Sequence, residues 1–257
     1  MTAGYRNPQD PSSLPALIAH RGASHTAPEN TLSAFRRAWQ EGADGIEGDF
    51  RLTGDGRIVC IHDAATGRTC DRDLIVSKTA LSELRKLDAG CRKGRQWRGE
   101  KIPLIEEVLS AVPEGKVIFI EIKGGAEMID PLKKILASSG LAPEQMVIIA
   151  FATDVIKEAK RQLPDLKAYW LTEFKKNSET GTWYPSAASA VATLKCTGAD
   201  GLGGKACDAI DDAFVGEIHR SGKELNLWTV NSRVKAKRFK DSGVDSLTTD
   251  CPGWLRE

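Results

Sequence analysis

The stretch that decides the fold is GIEGDFRLTGDGRIVCIHD, residues 45–63. It contains two apolar runs joined at Asp55-Gly56, a dipeptide favoured in the two-residue turn of a β-hairpin. A hairpin makes its second strand, 57–62, antiparallel to its first, 45–52. The first strand can therefore belong to a parallel sheet, whereas the second cannot be one of its parallel members.

The rest of the chain alternates apolar strands with helical patterns, which predicts a parallel sheet. The predicted strands lie at 16–20, 45–52, 57–62, 116–123, 146–151, 167–172, 199–203, 224–230 and 245–249. The predicted helices lie at 31–42, 104–112, 128–140, 153–163, 185–198, 211–222 and 232–243, and Asn30 or Thr31 is expected to cap the first. Setting the hairpin strand aside leaves eight strands. We therefore predict an α/β fold, a (β/α)8 TIM barrel with an extra β-hairpin strand after barrel strand 2.

Length and composition bound the organisation and the partners of the protein. The 257 residues suit one such barrel, so we predict a loose N-terminal leader at 1–14 and a single domain at 15–257. A net charge of +1 argues against nucleic acid as a partner, and no apolar run is long enough to predict a membrane span. Six cysteines without a C-x-x-C pair, and a start unlike a signal peptide, predict a cytoplasmic protein with reduced thiols. The oligomeric state stays open.

Carboxylates are placed where a barrel carries its active site. Glu47 and Asp49 share one face of the second barrel strand near its C-terminal end, the end that forms the site in TIM barrels. Glu121 and Lys123 alternate in the same way on the next barrel strand. Clustered buried carboxylates need a cation or a shared proton, and oxygen ligands suit Mg²⁺ or Ca²⁺. We predict one divalent cation on Glu47, Asp49 and Glu121; the alternative is an ordinary strand with its acids in water.

Two histidines are expected beside these carboxylates. Counting back from a two-residue turn pairs Asp49 with His62, which puts the two side chains on one face of the ribbon. His20 ends the first strand at the same rim, in the segment AHRG. Two imidazoles in one site can serve as general acid and general base near neutral pH. Zinc held by both histidines and carboxylates is the rival use of the same atoms.

Three further side chains are candidates for binding a substrate. Arg21 offers the planar fork, and Lys123 the point charge, that a phosphate group favours. Trp228, at the end of a predicted strand, is either core or an apolar wall for a small ligand. The basic segment 91–101 is either a solvated loop or a flap over the pocket.

Taken in order, these elements resemble the glycerophosphodiester phosphodiesterase family. The matching elements, which span nearly the whole chain, are His20-Arg21-Gly22, Pro28-Glu29-Asn30-Thr31, Glu47-x-Asp49, Thr53-x-Asp55-Gly56, His62-Asp63, Ile102-Pro103, Glu106-Glu107, Glu121-Ile122-Lys123, Trp228-Thr229-Val230-Asn231 and Thr248-Thr249-Asp250. The modest length of 64–103 resembles the short bacterial form rather than members with a large insertion.

The resemblance implies an activity and a set of roles. The activity is hydrolysis of glycerophosphodiesters, such as glycerophosphocholine or glycerophosphoethanolamine, to glycerol 3-phosphate and an alcohol. The implied roles are acid–base catalysis by His20 and His62, phosphate binding by Arg21 and Lys123, an alcohol or glycerol wall at Trp228, and the metal site described above. Alternatives are a phospholipase D-like hydrolase of lysophospholipids, a metal-dependent aldolase or isomerase, and a non-catalytic barrel that binds phosphorylated molecules. The nucleophile is either water or the glycerol 2-hydroxyl.

Overall fold

The structure, a computed structural model, describes residues 15–257, so the leader predicted at 1–14 lies outside the described part. Its strands are β1 (Ala16–His20), β2 (Gly45–Leu52), β3 (Ile58–Cys60), β4 (Val117–Ile122), β5 (Met146–Ala150), β6 (Lys167–Thr172), β7 (Lys175–Lys176), β8 (Trp183–Tyr184), β9 (Gly201–Lys205), β10 (Glu224–Trp228) and β11 (Ser246–Thr249). Eight of them form a closed parallel ring in the order β1-β2-β4-β5-β6-β9-β10-β11. The predicted TIM barrel is confirmed.

Helices connect most of the ring strands and cover the outside of the barrel. They are α1 (Leu32–Gln40), α2 (Leu81–Leu84), α3 (Ile105–Leu109), α4 (Ile129–Ala137), α5 (Thr153–Gln162), α6 (Ala187–Thr197), α7 (Asp212–Arg220), α8 (Arg233–Asp241) and α9 (Pro252–Arg256). Helix α1 shows why these segments are helical: Thr31 caps its first turn by accepting from the Ala34 amide, and its buried face carries Ala34, Phe35 and Ala38. No helix among residues 15–257 has the length and apolar character needed to cross a membrane.

The extra strand β3 lies outside the ring, as predicted. One edge of β2 pairs with β1 over residues 45–47 and with β3 over residues 50–52. The other edge of β2 pairs with β4 along most of its length. Strand β2 thus extends beyond the barrel rim, and its upper half pairs with β3, the first part of the segment that follows β2. That segment has an apolar cluster of its own, which includes Val59, Val76 and Leu87.

The register of the β2–β3 hairpin differs from the predicted one. The Thr53 amide donates to the Arg57 carbonyl at 2.8 Å, which closes a three-residue loop with Gly56 in the left-handed region, φ 76°. Three-residue loops of this kind are the next most common after two-residue turns, and one additional loop residue shifts every pair by one. The predicted pairing of Asp49 with His62 is therefore wrong.

A second hairpin, β7–β8, was not predicted. It follows β6 directly and consists of two strands of two residues each, joined by a polar loop. Phe174 at its base is buried and packs edge-on against Phe214 of α7, with ring centroids 5.4 Å apart. Strands this short carry too little alternation to be recognised from a sequence.

Gly22, directly after the first barrel strand, is where we expect a small substitution to have a measurable cost. Its φ is +79°, and a Cβ there would lie 2.5 Å from the backbone carbon of Ala34 in α1. Gly42 has a similar φ of +78° but open space around it, so Gly42→Ala isolates the cost of the left-handed backbone. That cost is about 1–2 kcal/mol, and Gly22→Ala adds about 1–3 kcal/mol because α1 must move. Urea unfolding of both variants would show this order; equal losses would contradict the close approach.

Candidate active site

A cavity of about 170 Å³ opens at the C-terminal ends of the barrel strands. Its wall brings together almost all of the predicted site residues. The lining residues are His20, Arg21, Glu47, His62, Glu121, Lys123, Ile149, Phe151, Leu171, Glu173, Asn226, Trp228 and Thr248. Asp49, the remaining predicted residue, is completely buried behind this wall.

Three buried carboxylates form the polar end of the site. Asp49 on β2 is the register partner of Glu121 on β4, and Glu47 lies two positions earlier on the same face of β2. One ligand oxygen from each of the three lies within 4.8 Å of the others. This close approach follows from adjacent parallel strands, on which paired residues point the same way.

The pKa values of these three carboxyl groups are strongly perturbed. Burial raises the pKa of Glu47 well above its usual range, and the charges of Asp49 and Glu121 raise it further. Burial, with the charge of Asp49, raises the pKa of Glu121 to about 7. Burial also acts to raise the pKa of Asp49, but Lys123 and Arg21 outweigh it, and the pKa lies below its usual value. Three carboxylates this close do not all ionise at neutral pH without further positive charge.

The buried carboxylate oxygens of this cluster suit a hard cation. One oxygen of each carboxylate, Glu47 Oε1, Asp49 Oδ1 and Glu121 Oε1, is buried without a hydrogen bond. The Lys123 ammonium is an ion-pair neighbour of two of them, 3.1 Å from Asp49 Oδ1 and 2.6 Å from Glu121 Oε1, whereas Glu47 Oε1 has no ion-pair contact within the described residues. The three ligand atoms that this cluster offers are all carboxylate oxygens. That donor set fits Mg²⁺ or Ca²⁺ better than zinc, which prefers nitrogen and sulfur.

Backbone and amide groups hold the carboxylates in place. Asn30 Nδ2 donates to Asp49 Oδ2 at 2.8 Å, and the Asp49 amide donates to Asn30 Oδ1 at 3.1 Å. The Arg21 amide donates to Glu47 Oε2 at 2.9 Å. Arg21 and Asn30 both have a left-handed backbone, with φ of 56° and 57°. We predicted Asn30 only as a candidate helix cap; its tolerance of positive φ was the one available signal for a special position.

Each predicted catalytic histidine is bound by an aspartate. His20 Nδ1 lies 2.6 Å from Asp250 Oδ1, and His62 Nδ1 lies 2.6 Å from Asp63 Oδ1. Burial acts to raise the pKa of both aspartates, but their hydrogen bonds outweigh it and hold each pKa at about 2. An ionised aspartate only accepts, so Nδ1 carries the proton and Nε2 is left for other partners.

Arg51 explains how His62 reaches the cavity despite the shifted register. Arg51 follows Glu47 and Asp49 on the same face of β2, one step closer to the rim. Its Nε donates to the His62 carbonyl at 2.8 Å, and its Nη1 donates to the Lys123 carbonyl at 3.1 Å. Burial lowers the pKa of His62, although the charge of Asp49 opposes this.

An aromatic pair forms part of the opposite wall. Trp228 Nε1 donates to the Gly203 carbonyl at 3.0 Å, which fixes the indole. Phe151 packs edge-on against it, with ring centroids 5.6 Å apart, and the Lys123 ammonium lies 6.0 Å from the Phe151 centroid. Trp228 lines the cavity, and its role as an apolar wall for a ligand stays a prediction. Within the described chain, the basic segment 91–101 contributes no residue to the lining of this cavity.

The barrel rim brings together a carboxylate cluster, two oriented imidazoles and two cationic side chains, Arg21 and Lys123. These groups suit chemistry on a phosphate ester. The sequence model of the glycerophosphoryl diester phosphodiesterase family matches residues 20–254. The chain belongs to this family, which is the one suggested by its sequence motifs.

Relatives match nearly the full length of the chain. A glycerophosphodiester phosphodiesterase of Caldanaerobacter subterraneus is 32% identical over 243 residues, covering 93% of this chain and 95% of the relative. One from Bacillus subtilis is 28% identical, covering 91% and 83%. An Oleispira antarctica phosphodiesterase solved with the product sn-glycerol-3-phosphate superposes with a TM-score of 0.84 at 28% identity, covering 95% and 96%. The protein is thus a phosphodiesterase of the family's short bacterial form.

Proposed function

We propose that this phosphodiesterase uses a divalent cation and two histidines to hydrolyse glycerophosphodiesters, such as glycerophosphocholine or glycerophosphoethanolamine, to glycerol 3-phosphate and an alcohol. The observation that carries the proposal is the buried cluster of three carboxylates beside two aspartate-bound histidines in one cavity. The product bound to the Oleispira antarctica relative is in keeping with it.

Glu47, Asp49 and Glu121 would hold the cation, Mg²⁺ or Ca²⁺, through their buried carboxylate oxygens. When bound, the cation offsets negative charge on the phosphoryl oxygens. Lys123 contacts two of the carboxylates and also lines the cavity, so it would bind a phosphate beside them. Arg21 also lines the cavity, and its guanidinium would bind the phosphate together with Lys123.

His62 and His20 would transfer the protons. With Nδ1 of each ring bound to an aspartate, Nε2 is the nitrogen that exchanges a proton with substrate or water. The lowered pKa of His62 suits the general base, which must start neutral to take a proton from the nucleophile: water, or the glycerol 2-hydroxyl if a cyclic phosphate forms first and water then opens it. His20 would then protonate the departing alkoxide. Trp228 would cover the carbon atoms of the glycerol or alcohol.

We further propose that the enzyme works in the cytoplasm on small soluble substrates. All six cysteines are free, and Cys60 and Cys70 are buried. Unpaired thiols are typical of a reducing compartment.

Glycerol 3-phosphate release tests the proposed function. The protein is treated with EDTA, then assayed on glycerophosphocholine and on a lysophosphatidylcholine, with and without added Mg²⁺ or Ca²⁺. We expect turnover of glycerophosphocholine that disappears with EDTA and returns with one of the ions. Choline release from the lysolipid alone, which leaves lysophosphatidate rather than glycerol 3-phosphate, would instead support the phospholipase D-like alternative. Calorimetric binding of glycerol 3-phosphate without any turnover would support the non-catalytic alternative.

A further inference from the structure

Arg68 lies outside the catalytic cavity but connects two of the side chains in it. It follows β3 in a loop that the buried Thr66 stabilises, because the Thr66 hydroxyl bonds backbone groups of Arg72 and Leu74. The Arg68 guanidinium therefore projects from a braced loop. The cavity lining does not include it.

All three nitrogens of this guanidinium contact acids. Nε donates to Asp63 Oδ2 at 2.5 Å, while Nη1 and Nη2 donate to the two oxygens of Glu29 at 2.7 and 2.8 Å. Glu29 also accepts from Arg21 Nη1 at 2.9 Å, and Asp63 holds His62 Nδ1. A single chain of charge-assisted bonds thus runs from His62 through Asp63, Arg68 and Glu29 to Arg21.

We infer that Arg68 is a positioning residue that orients the proposed general base His62 and the proposed phosphate ligand Arg21 together. It acts on His62 through Asp63 and on Arg21 through Glu29. The planar fork matters, because it meets both carboxylates in fixed geometry, whereas a lysine ammonium meets them as a point charge. This inference rests on the proposed function, because it concerns residues assigned to that reaction.

The arrangement is more than a surface ion pair. Glu29 is half-buried and its pKa lies below its usual value, since the hydrogen bonds and charges of Arg68 and Arg21 outweigh the effect of burial. Removal of Arg68 leaves Glu29 to Arg21 and leaves Asp63 to His62 alone. Asp63 and Glu29 then each lose the contacts that fix their own orientation, so His62 and Arg21 are held by carboxylates that are free to turn.

The test compares Arg68→Met and Arg68→Lys with wild type in glycerol 3-phosphate release. We expect Arg68→Met to lower kcat/KM about 10- to 100-fold, the usual cost of removing a residue that orients an active-site group. Arg68→Lys should recover part of the loss. Asp63→Asn should reproduce mainly the fall in kcat, and Glu29→Gln mainly the rise in KM, which separates the two branches.

The pH profile distinguishes positioning from a merely structural role. The charged groups facing His62 are Asp63, Asp49, Arg21 and Lys123. Without Arg68, the Asp63 carboxylate acts on His62 alone and favours the protonated ring. The limb of the kcat/KM profile that reports His62 should therefore move to higher pH in Arg68→Met.

Arg57→Met is the matched control, because Arg57 is as exposed as Arg68, 47% in each side chain, and pairs with Glu106 away from the cavity. The control should keep wild-type kinetics. The inference is overturned if folded Arg68→Met stays within twofold of wild type, or if its loss matches a fall in Tm with an unmoved pH limb. If either result is found while His62→Ala is inactive, the inference about Arg68 fails and the proposed function stands. If His62→Ala is active, His62 is not the general base, and the proposed function itself loses that residue.

Discussion

The His62→Ala variant is expected to lose about 10²- to 10⁴-fold in kcat for glycerol 3-phosphate release, the share that general acid–base catalysis contributes. The ring is half-exposed, and within residues 15–257 its side-chain hydrogen bond is to the neighbouring Asp63, so its removal should leave the barrel folded. Initial rates at saturating glycerophosphocholine, with Tm measured on the same samples, check both statements.

His25→Ala is the control for this variant. His25 is exposed in the loop after β1 and does not line the cavity, so kcat should be unchanged. His20→Ala should fall with His62→Ala if both rings transfer protons. Full turnover in His62→Ala would remove it from the mechanism, whatever its position at the cavity.

The Glu121→Gln variant is expected to gain stability while it loses metal binding and activity. The pKa of Glu121 is raised to about 7 from a usual 4.5, so ionisation of this group opposes folding. The stability that depends on a protonated Glu121 carboxyl is fully present below pH 4.5. It is lost as the pH rises through about 7. Replacing it by a neutral amide should raise the free energy of unfolding at pH 8, without metal, by on the order of 3 kcal/mol.

Urea unfolding at pH 5 and pH 8, in EDTA and in Mg²⁺ or Ca²⁺, measures both effects. Wild type should gain stability from the ion at pH 8 and less at pH 5, because protonated carboxyls compete with the metal. Glu121→Gln should gain little from it at either pH. Glu144→Gln, an exposed change outside the cluster, should behave as wild type. If the ion stabilised Glu121→Gln as much as it stabilises wild type, Glu121 would be excluded as a ligand.

The sequence predicted the fold because alternation and one hairpin signal were enough to count the strands. It also predicted which strand ends meet, since β2 and β4 carry their acids at positions that a parallel register brings together. These features depend on side-chain periodicity, which is local and visible in the chain. The assigned roles of the site residues remain predictions until the variants are assayed.

What the sequence could not predict depends on turn geometry and on loops. The choice between a two- and a three-residue turn moved the pairing of Asp49 by one position, yet His62 reached the cavity by a different route, through Arg51. Asn30 and Arg68 act on carboxylates far away in the sequence, and no periodic pattern marks them. Loop residues meet their partners only when the whole fold is assembled.

Because β3 lies outside the ring, we expect the segment that follows it to be replaceable without loss of the barrel. Backbone hydrogen bonds join it to the upper half of β2, to Gly54 in the hairpin loop and to Pro103, and its apolar residues form a cluster of their own. A chimera that keeps residues 45–74 and takes 75–101 from a longer relative should fold and retain turnover, because within the described chain none of the exchanged residues lines the cavity.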